Sequence, residues 1–171
     1  MNTEELAALP KIAIPEAAKK LTVKDVSFLV ETLSEKDDAL RYNAFLLLQA
    51  NSQLTPNVYT HWAVLESKLG DSNSYQRSLG LMLLVENVRW DKDGKFGKVI
   101  DAYLACCMDE KFVTARQAIQ GLASVIDDSD RYNDRIRQRI DNLDFSKYKE
   151  NQQKLLKKDV AAILNLLDKK N

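Results

Sequence analysis

The sequence predicts an all-α fold, a right-handed α-solenoid of about four antiparallel helix pairs, and three observations carry that prediction. An Asp-led, strongly apolar stretch occurs three times, at 37–48, 71–88 and 109–122. Helical hairpins begin near residues 22, 56, 95 and 131, and by subtraction their spacings of 34, 39 and 36 fall in the range of stacked helix pairs. Five Gly and three Pro in 171 residues leave little room for β-turns or long linkers. The chain reads as one domain, 1–171, with 1–20 as an N-terminal cap segment and 22–168 as the four hairpins.

In chain order, Glu4 to Leu9 predicts a short helix that Pro10 breaks, and Pro15 suits the first turn of the next. Thr22 followed by Asp25 is close to a capping box, and Val26, Leu29, Val30 and Leu33 then recur at helical spacing. A first apolar helix follows over 36–50. Thr55-Pro56 pairs an N-cap hydroxyl with proline at the first helical position, so a helix is expected over 56–69. Its apolar side is Val58, Trp62, Leu65 and Leu69, and Gly70 is its expected left-handed C-terminal residue.

Residues 71–88 are the stretch around which the rest is organised. Asp71, Ser72 and Asn73 can accept the free N–H groups of a helix start. The run then turns almost wholly apolar, so this helix needs neighbours on at least two sides. Asp91-Lys92-Asp93-Gly94 is a turn. Helices 95–107 and 110–126 form the next hairpin, and helix 131–142 begins the last. The final helix runs to about Asp168, with Leu155, Leu156, Val160, Ile163, Leu164 and Leu167 as its inner face. The expected inner surface is built by helices 36–50, 73–89, 110–126 and 149–168.

The 25 Lys and Arg balance 25 Asp and Glu, so no global basic pull towards nucleic acid exists. The balance is uneven along the chain. Residues 131–171 hold eleven basic against six acidic side chains, leaving fourteen against nineteen before them. Cys106 and Cys107 are adjacent in an apolar run and point about 100° apart on a helix, which fits buried thiols in a reducing cytosol. The acidic, polar start offers no secretory h-region, and no apolar run reaches the roughly 18 residues of a membrane span. A cytoplasmic protein without membrane partners is expected.

Several motifs are excluded on chemistry. Reading Asp93-Gly94 as the middle of a calcium loop would place Arg89 and Ile100 at ligand positions, and neither binds calcium. His61, the single histidine, has no ligand at metal spacing on its own helix, and no glycine-rich phosphate loop exists. No catalytic residue, metal or cofactor is expected.

At the repeated helices the chain resembles the HEAT-repeat family, whose second helix begins with Asp and then reaches a hydrophobic–Arg pair and small residues. The matching positions are Asp37, Arg41 and Ala44, then Asp71, Arg77 and Gly80, then Asp109, Arg116 and Ala118. Glu150 and Lys157 echo the pattern in the last hairpin. The resemblance covers roughly 22–168 and implies that the arginines form an Asp–Arg ladder tying each repeat to the next. The other reading of that row is a basic strip that grips acidic peptide or phosphate.

The expected function is a non-enzymatic binding or adaptor module presenting its helical surface to a protein or peptide. Its candidate interaction surface comprises Arg41, Arg77, Arg116, Lys157 and Trp90, with Arg131, Arg135 and Arg139 on one face of helix 131–142. The alternative that the resemblance allows is a nucleic-acid-binding protein like the HEAT-like alkylpurine DNA glycosylases. Zero net charge and 171 residues favour the first.

Overall fold

Local capping chemistry starts the helices close to where the sequence places them. The structure, a computed structural model, describes residues 1–170. Ten α-helices, joined in part by short 3₁₀ turns, and no strand are present among them. Helices α1 (Thr3–Ala7) and α2 (Ile14–Lys19) form the leader, with Pro15 in the first turn of α2. Thr22 and Asp25 close a capping box on α3 (Val23–Thr32). Asp37 accepts the Ala39 and Leu40 N–H groups at the head of α4 (Asp38–Ser52).

The leader is held by α4. Leu6, Ile14 and Ala18 are buried, and two α4 amides reach back to leader carbonyls. Asn43 Nδ2 donates to Leu6 O at 3.0 Å, and buried Asn51 Nδ2 donates to Ala18 O at 3.0 Å. The Asn51 bond satisfies a helix-end carbonyl that burial would otherwise leave orphaned, and the Asn43 bond adds to the 3.3 Å bond that Leu6 O accepts from Leu9 N.

The expected helix over 56–69 is the first departure. Residues 56–58 are a turn, followed by a 3₁₀ turn (Tyr59–His61), α5 (Trp62–Ser67) and a second 3₁₀ turn (Lys68–Gly70). Thr55 does not cap strongly: its hydroxyl donates to Asn51 Oδ1 at 2.9 Å and takes only a 3.4 Å bond from Asn57 N. Gly70 is not left-handed either, because the 3₁₀ bond from Asp71 N to Lys68 O at 3.1 Å ends the helix. Gly94 alone among the described residues has positive φ, at 69°, where the 91–94 turn needs it.

Helix α6 (Ser74–Glu86) is capped by Asn73 and buries Leu79, Leu81, Leu83, Leu84 and Val85, as an almost all-round apolar helix must. It packs on α4, α5 and, most extensively, α8. A Cβ at Gly80 would lie 2.8 Å from Leu65 O and from Lys68 Cβ, so glycine sets how closely α5 and α6 approach. Asp91 then organises the next hairpin. Its two carboxylate oxygens accept the Lys95 and Phe96 N–H groups, each at 2.8 Å, and Oδ1 also accepts the Tyr59 hydroxyl at 2.9 Å. A buried carboxylate thus starts α7 (Lys95–Ala105) and ties it to the preceding hairpin.

Next come α8 (Phe112–Asp128), the 3₁₀ turn Asp130–Tyr132, α9 (Asn133–Ile140) and α10 (Glu150–Lys170). Helix α4 packs on α6, α6 on α8 and α8 on α10, with α3, α5 and α9 against α4, α6 and α10 respectively. The buried apolar side chains from Leu6 to Leu167 form one continuous cluster. Two expectations need correction. On α10, Leu156, Ile163 and Leu167 are buried and Val160 and Leu164 partly so, but Leu155 is 40% exposed, because α8 and α9 cover only part of this last helix. Arg131 does not share a helical face with Arg135 and Arg139, since α9 starts only at Asn133.

Candidate functional site

The row α4–α6–α8 carries an apolar groove of about 400 Å³. Its floor is Phe45, Leu79 and Met82, and its rim is Tyr42, Tyr75, Val113 and Lys111. The three rim side chains Tyr42, Tyr75 and Val113 are 40%, 37% and 61% exposed, an unusual amount of large apolar surface on helices that otherwise bury theirs. Ser78 and Thr114 hydroxyls, 3.1 Å apart, and Gln117 supply the polar part of the wall. Further along the same row, Glu86 accepts from Gln49 at 3.2 Å and from Gln53, and burial pushes its carboxyl above the ordinary value.

The arginine row stands on the same three helices without lining this groove, and each member is engaged. Arg77 grips Asp109 through a fork, Nε to Oδ2 at 2.7 Å and Nη2 to Oδ1 at 2.8 Å, and also donates to Asp71 O at 2.8 Å. Burial alone would raise the Asp109 carboxyl, but the Arg77 fork and the Lys111 N–H hold it below its ordinary value. Arg116 grips Asp159 of α10 in the same way, at 2.6 and 3.1 Å. There too the carboxyl lies below its ordinary value, with the Arg116 and Gln120 bonds outweighing burial. Arg41 differs. It pairs within its own turn, with Asp38 and with Glu35 O at 2.7 Å, and its guanidinium lies 4.4 Å from the centre of the Tyr75 ring. Its link from α4 to α6 is therefore a cation–π contact in place of a carboxylate.

The other sequence candidates lie elsewhere. Trp90 is half-buried, and its indole donates to Ser52 O at 2.7 Å, which pins the end of α6 to the end of α4. Lys157 is exposed on α10 with no ion pair among the described residues. Arg131 lies in the turn before α9, lining a small cleft with Asp128 and Arg89, which pair at 3.4 Å. Arg135 pairs with exposed Asp101 of α7, and Arg139 lines the groove beside it.

Two features were not read from the sequence. One is the aromatic rim, although a signal for it exists: Tyr42, Tyr75 and Val113 follow Asp37, Asp71 and Asp109 by five, four and four residues. The other is Ser27 Oγ at 3.4 Å from His61 Nε2, on α3 and the turn before α5. That contact is long, and the hydroxyl also donates to Val23 O at 3.2 Å. Burial pushes the Cys106 and Cys107 thiols up to about 11 and about 12, away from thiolate chemistry. No cluster of three or more metal-ligating side chains occurs among the described residues. No helix there is long and apolar enough to cross a membrane.

No family model matches the chain, and no curated protein matches it.

Proposed function

We propose that the chain is a non-enzymatic binding module, a right-handed α-solenoid of about four helix pairs, whose α4–α6–α8 row seats a short apolar segment of a protein partner. The single observation that carries this reading is the groove itself. Three large side chains in the opening turns of successive helices stand exposed around an apolar floor, which is the form of a surface that a partner covers. The successive packing of α4, α6, α8 and α10 supports the solenoid, in which such a row lines the concave side. Arg77 and Arg116 face carboxylates, which favours a protein segment over a phosphate backbone on this row. The role needs no cofactor and suits a cytoplasmic adaptor.

Selection of peptides from a displayed library, followed by fluorescence anisotropy, tests the reading. The selected peptides should share two or three apolar anchors. Val113→Asp, at an exposed position that leaves the fold intact, should weaken their binding by about tenfold or more, since it sets a charge against the anchors. Peptides that bind Val113→Asp as well as the parent place the interaction elsewhere and end the groove reading.

A further inference from the structure

Helices α7 and α9 lie side by side and run in the same direction. A Cβ on Gly97 would stand 3.5 Å from the Tyr132 ring, Asp101 meets Arg135, and Leu104 and Ala105 line a groove with Gln138, Arg139 and Asn142. The groove holds about 540 Å³ and is separate from the apolar one on the α4–α6–α8 row. Arg139 is the unusual member. No carboxylate lies within ion-pair distance of its guanidinium among the described residues, and its Nε is shut off from solvent without a hydrogen-bond partner. A guanidinium is always charged and carries five donors, so one left without an acceptor in a groove is short of an anion. The contrast with Arg77 and Arg116, each in a two-bond fork, is direct.

The surroundings favour the same ligand. Arg135, one turn before Arg139 and on the same face, pairs only with the exposed Asp101 carboxylate, and exposed pairs exchange easily. Exposed Lys98 lies one turn before Asp101 on α7, and the segment from residue 131 onward carries the chain's basic excess. The Gln138 amide adds an uncharged donor at the wall, while Asn142 Nδ2 already donates to Gln138 O at 2.7 Å. A planar carboxylate satisfies one fork. Two guanidinium groups and an amide match the three or more oxygens of a tetrahedral anion better.

We propose that the α7–α9 groove is a binding site for a phosphoryl group, held by Arg139 and Arg135 with Gln138, and that Asp101 occupies Arg135 until the anion arrives. The site is independent of the peptide groove. Either can stand without the other.

The test is a titration of the full-length protein with inorganic phosphate at constant ionic strength, followed through the arginine Nε–H and glutamine side-chain NMR signals. The Arg139 and Gln138 signals should move saturably. Arg139→Gln should weaken binding about tenfold or more, as loss of charged hydrogen bonds does. Asp101→Asn should tighten it, since it removes the competing carboxylate, and this variant keeps the test decisive if Arg139→Gln folds poorly. Lys111→Gln, on the other groove, should change nothing. Acetate in place of phosphate should bind more weakly. A phosphoserine peptide that binds more tightly than free phosphate assigns the site to a phosphorylated partner, and equal affinity assigns it to the free anion. Shifts that never saturate, or weaker binding in Asp101→Asn, overturn the proposal.

Discussion

The arginines of α6 and α8 and those of α9 stand in similar helical sequence but in opposite electrostatic situations. Arg77 and Arg116 reach across to Asp109 and Asp159, whose side chains are 6% and 10% exposed. Arg135 meets an Asp101 that is 75% exposed, and Arg139 meets no carboxylate. The difference lies less in the arginines than in their partners. A carboxylate removed from water needs its cation, so that pair is structural. A solvated carboxylate does not, so its arginine remains available.

That comparison orders the expected effects of substitution. Leu83→Ala, in the fully buried face of α6, sets the upper end with a loss of about 2–5 kcal/mol in chemical denaturation. Arg77→Ala should cost about 3 kcal/mol, the low end for breaking a buried pair, because it strands Asp109. Arg77→Lys should recover only part, for a lysine cannot make the two-bond fork. If Arg77→Ala melts like the parent, partner burial is not what separates the two regions.

The acid side gives a second way to break the comparison. Both Asp109 and Asp159 have folded-state values lowered from the ordinary carboxyl range. A carboxyl lowered by folding contributes stability above its unfolded value, near 4, and loses it as pH falls through the folded value. The melting temperature should therefore drop as pH is taken down from about 5, as that linkage requires. Arg77→Ala should flatten the drop. An unchanged slope in that variant would show that Asp109 is not the group responsible.

Smaller effects sharpen the contrast. Arg116 is more exposed than Arg77, so Arg116→Ala should cost about 1–2 kcal/mol, between the buried and surface cases. Arg135→Ala should stay within about 0.5 kcal/mol in the same denaturation experiment. A loss from Arg135→Ala as large as that from Arg77→Ala would make the α9 arginines structural too.

Much of the helical layout was legible because its signals are local. Thr22 with Asp25 and Asp37 with the N–H groups just after it act within one turn, and the Gly94 turn rests on a backbone angle that glycine takes freely. The apolar run after Asn73 announced a helix enclosed by neighbours, and α6 is one. The break in the helix expected over 56–69 has a local cause that the capping pattern conceals: Asn51, four residues before Thr55, accepts the hydroxyl that the pattern assigns to the cap. The Arg41–Tyr75 stack, the aromatic rim and the α7–α9 groove were hidden because their partners lie far apart in the chain. Each joins residues at least 33 positions apart.

The sequence by itself determined that this chain is helical, where most of its helices begin, and which stripes are apolar, because capping and periodicity depend on neighbours within about four residues. Which arginine meets a buried carboxylate, which meets a ring and which meets neither was decided only by tertiary structure. Burial sets the cost of an unpaired charge, and burial belongs to the packed helices rather than to any segment of chain.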